Sequence, residues 1–195
     1  MKNSFKDKLL PVLARISRNP DELAKTIQKS FASSESLFEA DIRKLRTITE
    51  NESATELFLI IAALASRKCI ESFKFGKTHT EDEIKDFLTG FYINASVESV
   101  TILPVDKSGK ILAIDTISDG TVNLSSIIPR QIIERLTTHG VDSFIMAHNH
   151  PGGLPEPSDG DIASSKNLAM TLNACGIHLL AHYVVANRQC NKIDF

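Results

Sequence analysis

Two histidines one residue apart, His148 and His150, and an aspartate eleven residues further on, Asp161, are the side chains best placed to do chemistry. They fall within residues 147–161, AHNHPGGLPEPSDGD. Residues 141–148, VDSFIMAH, read as a strand, and side chains two apart in a strand share a face. Two imidazoles on one face are able to bind one ion. Pro151, Gly152 and Gly153 then end the strand and turn the chain. Ser158 and Asp161 open a helix, from which Asp161 is able to fold back over the strand end as an oxygen ligand. Two histidines and a carboxylate, with a fourth position left to water, make the donor set of a catalytic zinc site. Zinc held in this way lowers the pKa of water toward ~7 and polarises a substrate carbonyl. A carboxylate beside the metal must then take and relay the water's proton. Glu98, in VESV at residues 97–100 of the first strand, is the candidate.

Each of these signals has a plainer reading. Two strand histidines are often just satisfied polar residues. Ser158 and Asp161, three apart, are first of all a helix-start signal; Ser158 can cap the helix while Asp161 turns to a metal. Glu98 taken alone is a routine acid on an edge strand. His182 reads as a buried, hydrogen-bonded histidine, and His79, His139 and His178 as ordinary surface or partly buried residues. Cys69, Cys175 and Cys190 are odd in number and widely spaced, which argues for reduced thiols and against a disulfide framework.

The elements that must position these groups follow from periodicity. Residues 9–16, 37–45 and 51–68 carry apolar positions at helical spacing. Asn19 followed by Pro20 reads as a helix start. Thr80 with Glu83 fits a capping box. Strands are expected at residues 95–106 and 110–117, joined by a KSGK hairpin turn at 107–110. A helix from 127, the strand at 141–148, a helix from 158 stopping at Gly176, a strand at 178–186 and a short fifth strand at the end complete the order. That order gives an α/β (α+β) domain from about residue 76 onward, behind a helical region at 1–75.

His148-x-His150, seven residues, then Ser158-x-x-Asp161, with Glu98 upstream, resembles the JAMM motif of JAB/MPN+ metalloproteases. The chain is more closely similar to the RadC family. The matching words are DGTVNLSSIIPRQI at 119–132, AHNHPGGLPEPSDGDI at 147–162 and AHYVV at 181–185. The resemblance implies a cytidine-deaminase-like mixed β-sheet flanked by helices. It implies His148, His150 and Asp161 as zinc ligands, Glu98 as general acid/base, and Ser158 as a donor to the developing oxyanion. It also makes Asn123 and Ser125 candidates for shaping the cleft, on a par with a purely structural role.

The chain departs from that family in two places. Relatives usually read HPSGDP after the histidines, where this chain has HPGGLP at 150–155. The N-terminal region of relatives usually carries a helix-hairpin-helix with a glycine-bearing turn. Residues 47–56 here, TITENESATE, hold three acids and no glycine, which makes a degenerate copy unsuited to gripping phosphates.

A formal net charge of −2 gives no global attraction to nucleic acid or anionic membrane. The longest apolar run, residues 57–65, is about half of what a bilayer requires. The charged N-terminus has no apolar signal core behind it, so the expected compartment is the cytoplasm. The leading expectation is a zinc-dependent hydrolase acting on peptide or isopeptide bonds of an unspecified peptide or protein substrate. The alternative is a RadC-type, DNA-repair-associated accessory protein that keeps the metal site without peptidase activity. Nucleic acid is disfavoured as a partner by the charge and by the degenerate hairpin. No motif specifies an oligomeric state.

Overall fold

Contacts divide the chain into two units, Met1–Lys68 and Cys69–Phe195. The computed structural model describes residues 5–31, 37, 42–93, 95, 97–119 and 129–195. The first unit holds helices α1 (Phe5–Leu13), α2 (Pro20–Ser30), α3 (Ile42–Thr49) and most of α4 (Glu52–Ser72). Their apolar stripes meet in a core that includes Leu13, Ile27, Leu37, Leu45 and Phe58. Pro20 opens α2 as expected, but Asn19 is a cap by position only: its side chain makes no capping bond. Its backbone N–H donates instead to Ser17 Oγ at 3.2 Å.

The link from α3 to α4 is two residues long. Glu50 holds a φ of 44°, a left-handed conformation that favours glycine. Asn51 then caps α4, its Oδ1 accepting from the Ala54 N–H at 2.9 Å. The chain thus makes the tight turn with an acid where backbone sterics favour glycine. Among the described residues no helix is long and apolar enough to cross a membrane.

The second unit is built on a mixed five-stranded sheet. The remaining elements are α5 (Glu81–Phe91), β1 (Ser99–Val105), β2 (Asp115–Asp119), α6 (Pro129–His139), β3 (Ser143–Asn149), α7 (Asp159–Asn173), β4 (His178–Ala186) and β5 (Gln189–Lys192). The strand order is β2-β1-β3-β4-β5. β3 and β4 are parallel, as their crossover through α7 requires, and the other pairs are antiparallel. The expected capping box at Thr80 and Glu83 is present at the start of α5. The turn after β1 is organised by Asp106, whose Oδ1 accepts from Ser108 and Lys110 N–H groups at 2.8 and 2.9 Å.

Two boundaries differ from the periodic reading. The second strand begins at Asp115, because Ile111 makes only isolated bridges to Lys77 and Val105. Glu98 lies immediately before β1, not within it. The candidates Asn123 and Ser125 fall outside the described residues.

Both faces of the sheet are buried, and strand parity divides them. Leu103, Ile145, Ala147, Tyr183 and Val185 pack against Phe87 and Leu88 of α5. Val100, Ile102, Phe144 and Met146 pack against Ile132 and Leu136 of α6 and Leu172 of α7. The same parity places His148 on the α7 side, two positions beyond Met146, and Asn149 on the α5 side. Gly90 lets α5 approach Cys69: a Cβ there would meet the thiol sulfur well inside contact distance.

Candidate metal centre

β3 delivers His148 at its inner end and His150 just past its last residue. The His150 N–H still bonds to the Val185 carbonyl at 2.9 Å, so the backbone stays extended and both rings turn to one side. Their Nε2 atoms lie 3.0 Å apart. Asp161 enters from the first turn of α7. Its Oδ1 is 3.6 Å from His148 Nε2, and its Oδ2 is 3.5 Å from His150 Nε2. The antiparallel register pairs Val100 with His148. Continued two positions outward, it sets Glu98 across from His150. The Glu98 carboxylate accordingly lies within 4.8 Å of both histidines' ligand atoms. Glu98, His148 and His150 thus form one group at the end of the β1–β3 pair, and Asp161 approaches it through the two histidines.

Asp161 is held in place by a capping box. Its Oδ2 accepts from the Ser158 N–H at 2.8 Å and from the Ser158 hydroxyl at 2.7 Å, and its own N–H returns a bond to Ser158 Oγ at 3.1 Å. The carboxylate that closes the capping box is also the one that faces the two histidines. Burial works to raise the Asp161 pKa, but His148 and the two Ser158 donors outweigh it and hold the carboxyl well below the usual range. The group is an anion at neutral pH.

The donor chemistry fits a cation. His150 Nδ1 is 3.1 Å from the Leu154 carbonyl, which can only accept. That places a proton on Nδ1 and leaves the Nε2 of a neutral ring as a lone pair facing the cluster. A ring lone pair, an ionised carboxylate and the completely buried His148 ring crowd one point. Buried acceptors at such spacing are costly unless something positive lies between them. Nitrogen and oxygen donors of this kind suit zinc.

Gly152 and Gly153 shape the loop that carries the Leu154 carbonyl. Gly152 has a φ of +70°, and a Cβ on Gly153 would press on His150 Cβ at 3.0 Å. The Gly153 carbonyl accepts from the Asn187 side chain at 2.7 Å, which ties the loop to the β4–β5 turn. The departure from HPSGDP therefore supplies, at Gly152, the residue type this turn conformation favours.

Three buried polar residues of the site escaped the sequence reading of function. Asn149 donates from Nδ2 to the Val97 carbonyl at 3.1 Å and accepts at Oδ1 from the Ser99 N–H at 2.8 Å. Its amide thereby brackets Glu98 on both sides and continues the strand ladder past the end of β1. His182 and Ser165 lie behind His148 on the α7 side, where His148 Nδ1 meets His182 Nε2 at 2.8 Å. Burial, seconded by His148, pushes the His182 pKa well below its ordinary value, with Asp161 opposing. The available signals were the position of Asn149 between two candidate ligands and the four-residue step from Asp161 to Ser165 on one helix face. Neither is specific without the cross-strand register.

The model of the RadC-like JAB domain matches residues 78–192, more than half of the chain. A UPF0758 protein of Neisseria gonorrhoeae is 29% identical over 185 residues, spanning 92% of this chain and 82% of that relative. A UPF0758 protein of Herminiimonas arsenicoxydans is 29% identical over 186 residues, 93% of this chain and 83% of its own length. One from Aliivibrio fischeri is 27% identical over 179 residues, 87% of this chain and 76% of the relative.

Proposed function

The chain belongs to the family of RadC-like JAB domains, and from that premise we propose that it is a zinc-dependent hydrolase of peptide or isopeptide bonds. His148, His150 and Asp161 are the residues that hold the ion. Zinc in this set supplies a water of lowered pKa and polarises the carbonyl of the substrate. Glu98, half-buried and fastened by Asn149, takes the proton of the attacking water and returns it to the leaving amine. Ser158 contributes a donor to the developing oxyanion. Its single hydroxyl proton is given to Asp161 in this structure, so that role requires the hydroxyl to rotate. The Ser158 N–H keeps its own bond to Asp161 Oδ2 meanwhile, and the carboxylate stays oriented.

The observation that carries this reading is the meeting of two imidazole nitrogens and an ionised carboxylate within 3.0–3.6 Å, with Glu98 brought beside them by a different strand. The test is hydrolysis of quenched-fluorescent peptides and an isopeptide-linked conjugate by zinc-loaded protein. Glu98→Gln is expected to keep its zinc and to lose turnover by about 10²–10⁴-fold. Full turnover in Glu98→Gln, or hydrolysis that survives His148→Ala with Asp161→Ala, would contradict the proposal.

A further inference from the structure

We propose that the outward face of α4 is a self-association surface, on which a second copy of this chain lays its own α4 antiparallel. Residues 57–65 are the longest apolar run in the chain, and all of them lie inside α4. A helix that is apolar all round is covered all round in a stable protein. Here one side has its cover: Ala54 and Phe58 belong to the core of the first unit and are 0% and 1% exposed. Ile60 and Leu64 follow two and six residues after Phe58, about 200° and 240° round the helix from it. They are 58% and 61% exposed. Leu57 and Ile61 are half-buried at the border of this stripe.

The charges round this stripe select the occupant and its direction. Glu52 and Glu56 are exposed in the N-terminal part of the helix, Arg67 and Lys68 in the C-terminal part, and residues 57–66 carry no charge. A parallel copy would set acid against acid and base against base. An antiparallel copy sets each acid against a base. Outward positions recur at 57, 60, 64 and 67, the alternating three- and four-residue steps of paired helices. A twofold axis crossing α4 midway between Ile60 and Leu64 brings Ile60 against Leu64 of the second copy, and symmetry repeats the contact. Glu56 and Arg67 lie on one flank of the stripe, so the same axis puts Glu56 beside Arg67 of the second copy, again twice. Two short helical faces cover less than a standard interface, so the pair forms reversibly and depends on concentration.

Sedimentation velocity of the full chain over roughly 5 to 500 µM provides the test. The wild type is expected to pass from monomer to dimer across that range. Ile60→Glu places an unpaired carboxylate at the centre of the contact and is expected to weaken the dimer by about 100-fold. Glu56→Arg sets like charges together at both ends and is expected to weaken it by about tenfold. Glu56→Arg combined with Arg67→Glu restores the opposite charges and is expected to return the dimer to wild-type strength. All three positions are exposed, so the changes leave the core of the first unit intact, and recovery in the double variant excludes misfolding as the cause of the loss. A wild type that stays monomeric throughout the range, or a dimer that Ile60→Glu leaves unchanged, would overturn the proposal. Loss in Glu56→Arg without recovery in the double variant would overturn the antiparallel arrangement, and the proposal with it.

Discussion

At the scale of single residues, the candidate site is shaped by groups that are not among its proposed ligands. Asn149 is the clearest case, since Glu98 lies just outside β1 and has no strand ladder of its own to hold it. The amide of Asn149 replaces that ladder from the neighbouring strand. Asn149→Ala strands a buried N–H and a carbonyl, at a cost of about 1–3 kcal/mol each way the loss is counted. The expected outcome is a lower urea midpoint and reduced turnover with zinc content unchanged; wild-type turnover would show that Glu98 needs no such clamp. The thiols give a second check. Cys175 is exposed, whereas burial pushes the Cys190 thiol up to about 12. Thiolates are the reactive form, so iodoacetamide at neutral pH is expected to modify Cys175 first and Cys190 last, as read by peptide mass spectrometry.

At the scale of elements, the start of α7 serves structure and chemistry together. Ser158 and Asp161 satisfy the helix end and aim a carboxylate at two histidines. Ser158→Ala removes the hydroxyl donor but leaves the backbone N–H on Asp161. Turnover should therefore fall by about 10²–10³-fold while zinc affinity changes far less, and equal losses in both would mean that Ser158 acts only through Asp161. The α3–α4 turn makes a separate prediction. Glu50 occupies left-handed space that costs a residue with a Cβ about 1–2 kcal/mol. Glu50→Gly should raise the urea midpoint, with the entropy of glycine in the unfolded chain offsetting part of the gain.

Much of this was legible in the sequence because it is periodic or local. The two-residue step put His148 and His150 on one face, and Ser158 with Asp161 announced a helix start. Glu98 came from resemblance, since its approach to His150 depends on a register that no local pattern encodes. His182 reads from the sequence as a buried, hydrogen-bonded histidine and is one, but its partners, Ser165 among them, were out of reach until β4 lies beside β3 and α7 crosses over them. The late start of β2 was missed because residues 111–114 are apolar enough to look like a strand and yet pair only at Ile111.

At the scale of the molecule, the pKa shifts of buried groups link stability to pH. Burial is the main force raising Tyr183 and Cys190, both to about 12, from ordinary values of 10.0 and 9.0. An acid with a raised folded pKa contributes stability that is complete below its unfolded value and is lost as pH rises toward the folded one. The urea midpoint is therefore expected to hold up to about pH 9 and to fall from there toward pH 12, more gently in Cys190→Ala. A flat profile to pH 11 would contradict the burial that separates these groups from solvent. Zinc bound at the proposed centre would add to stability, by about 2.7 kcal/mol at 100 times its Kd.

The metal itself offers the most direct measurement: zinc content of the purified protein by mass spectrometry after dialysis, for the wild type and for His148→Ala combined with Asp161→Ala. One zinc per chain in the wild type and none in the double variant is the result expected of ligands that converge as these do. A wild type without stoichiometric zinc, or a double variant that keeps it, would contradict the proposed metal centre.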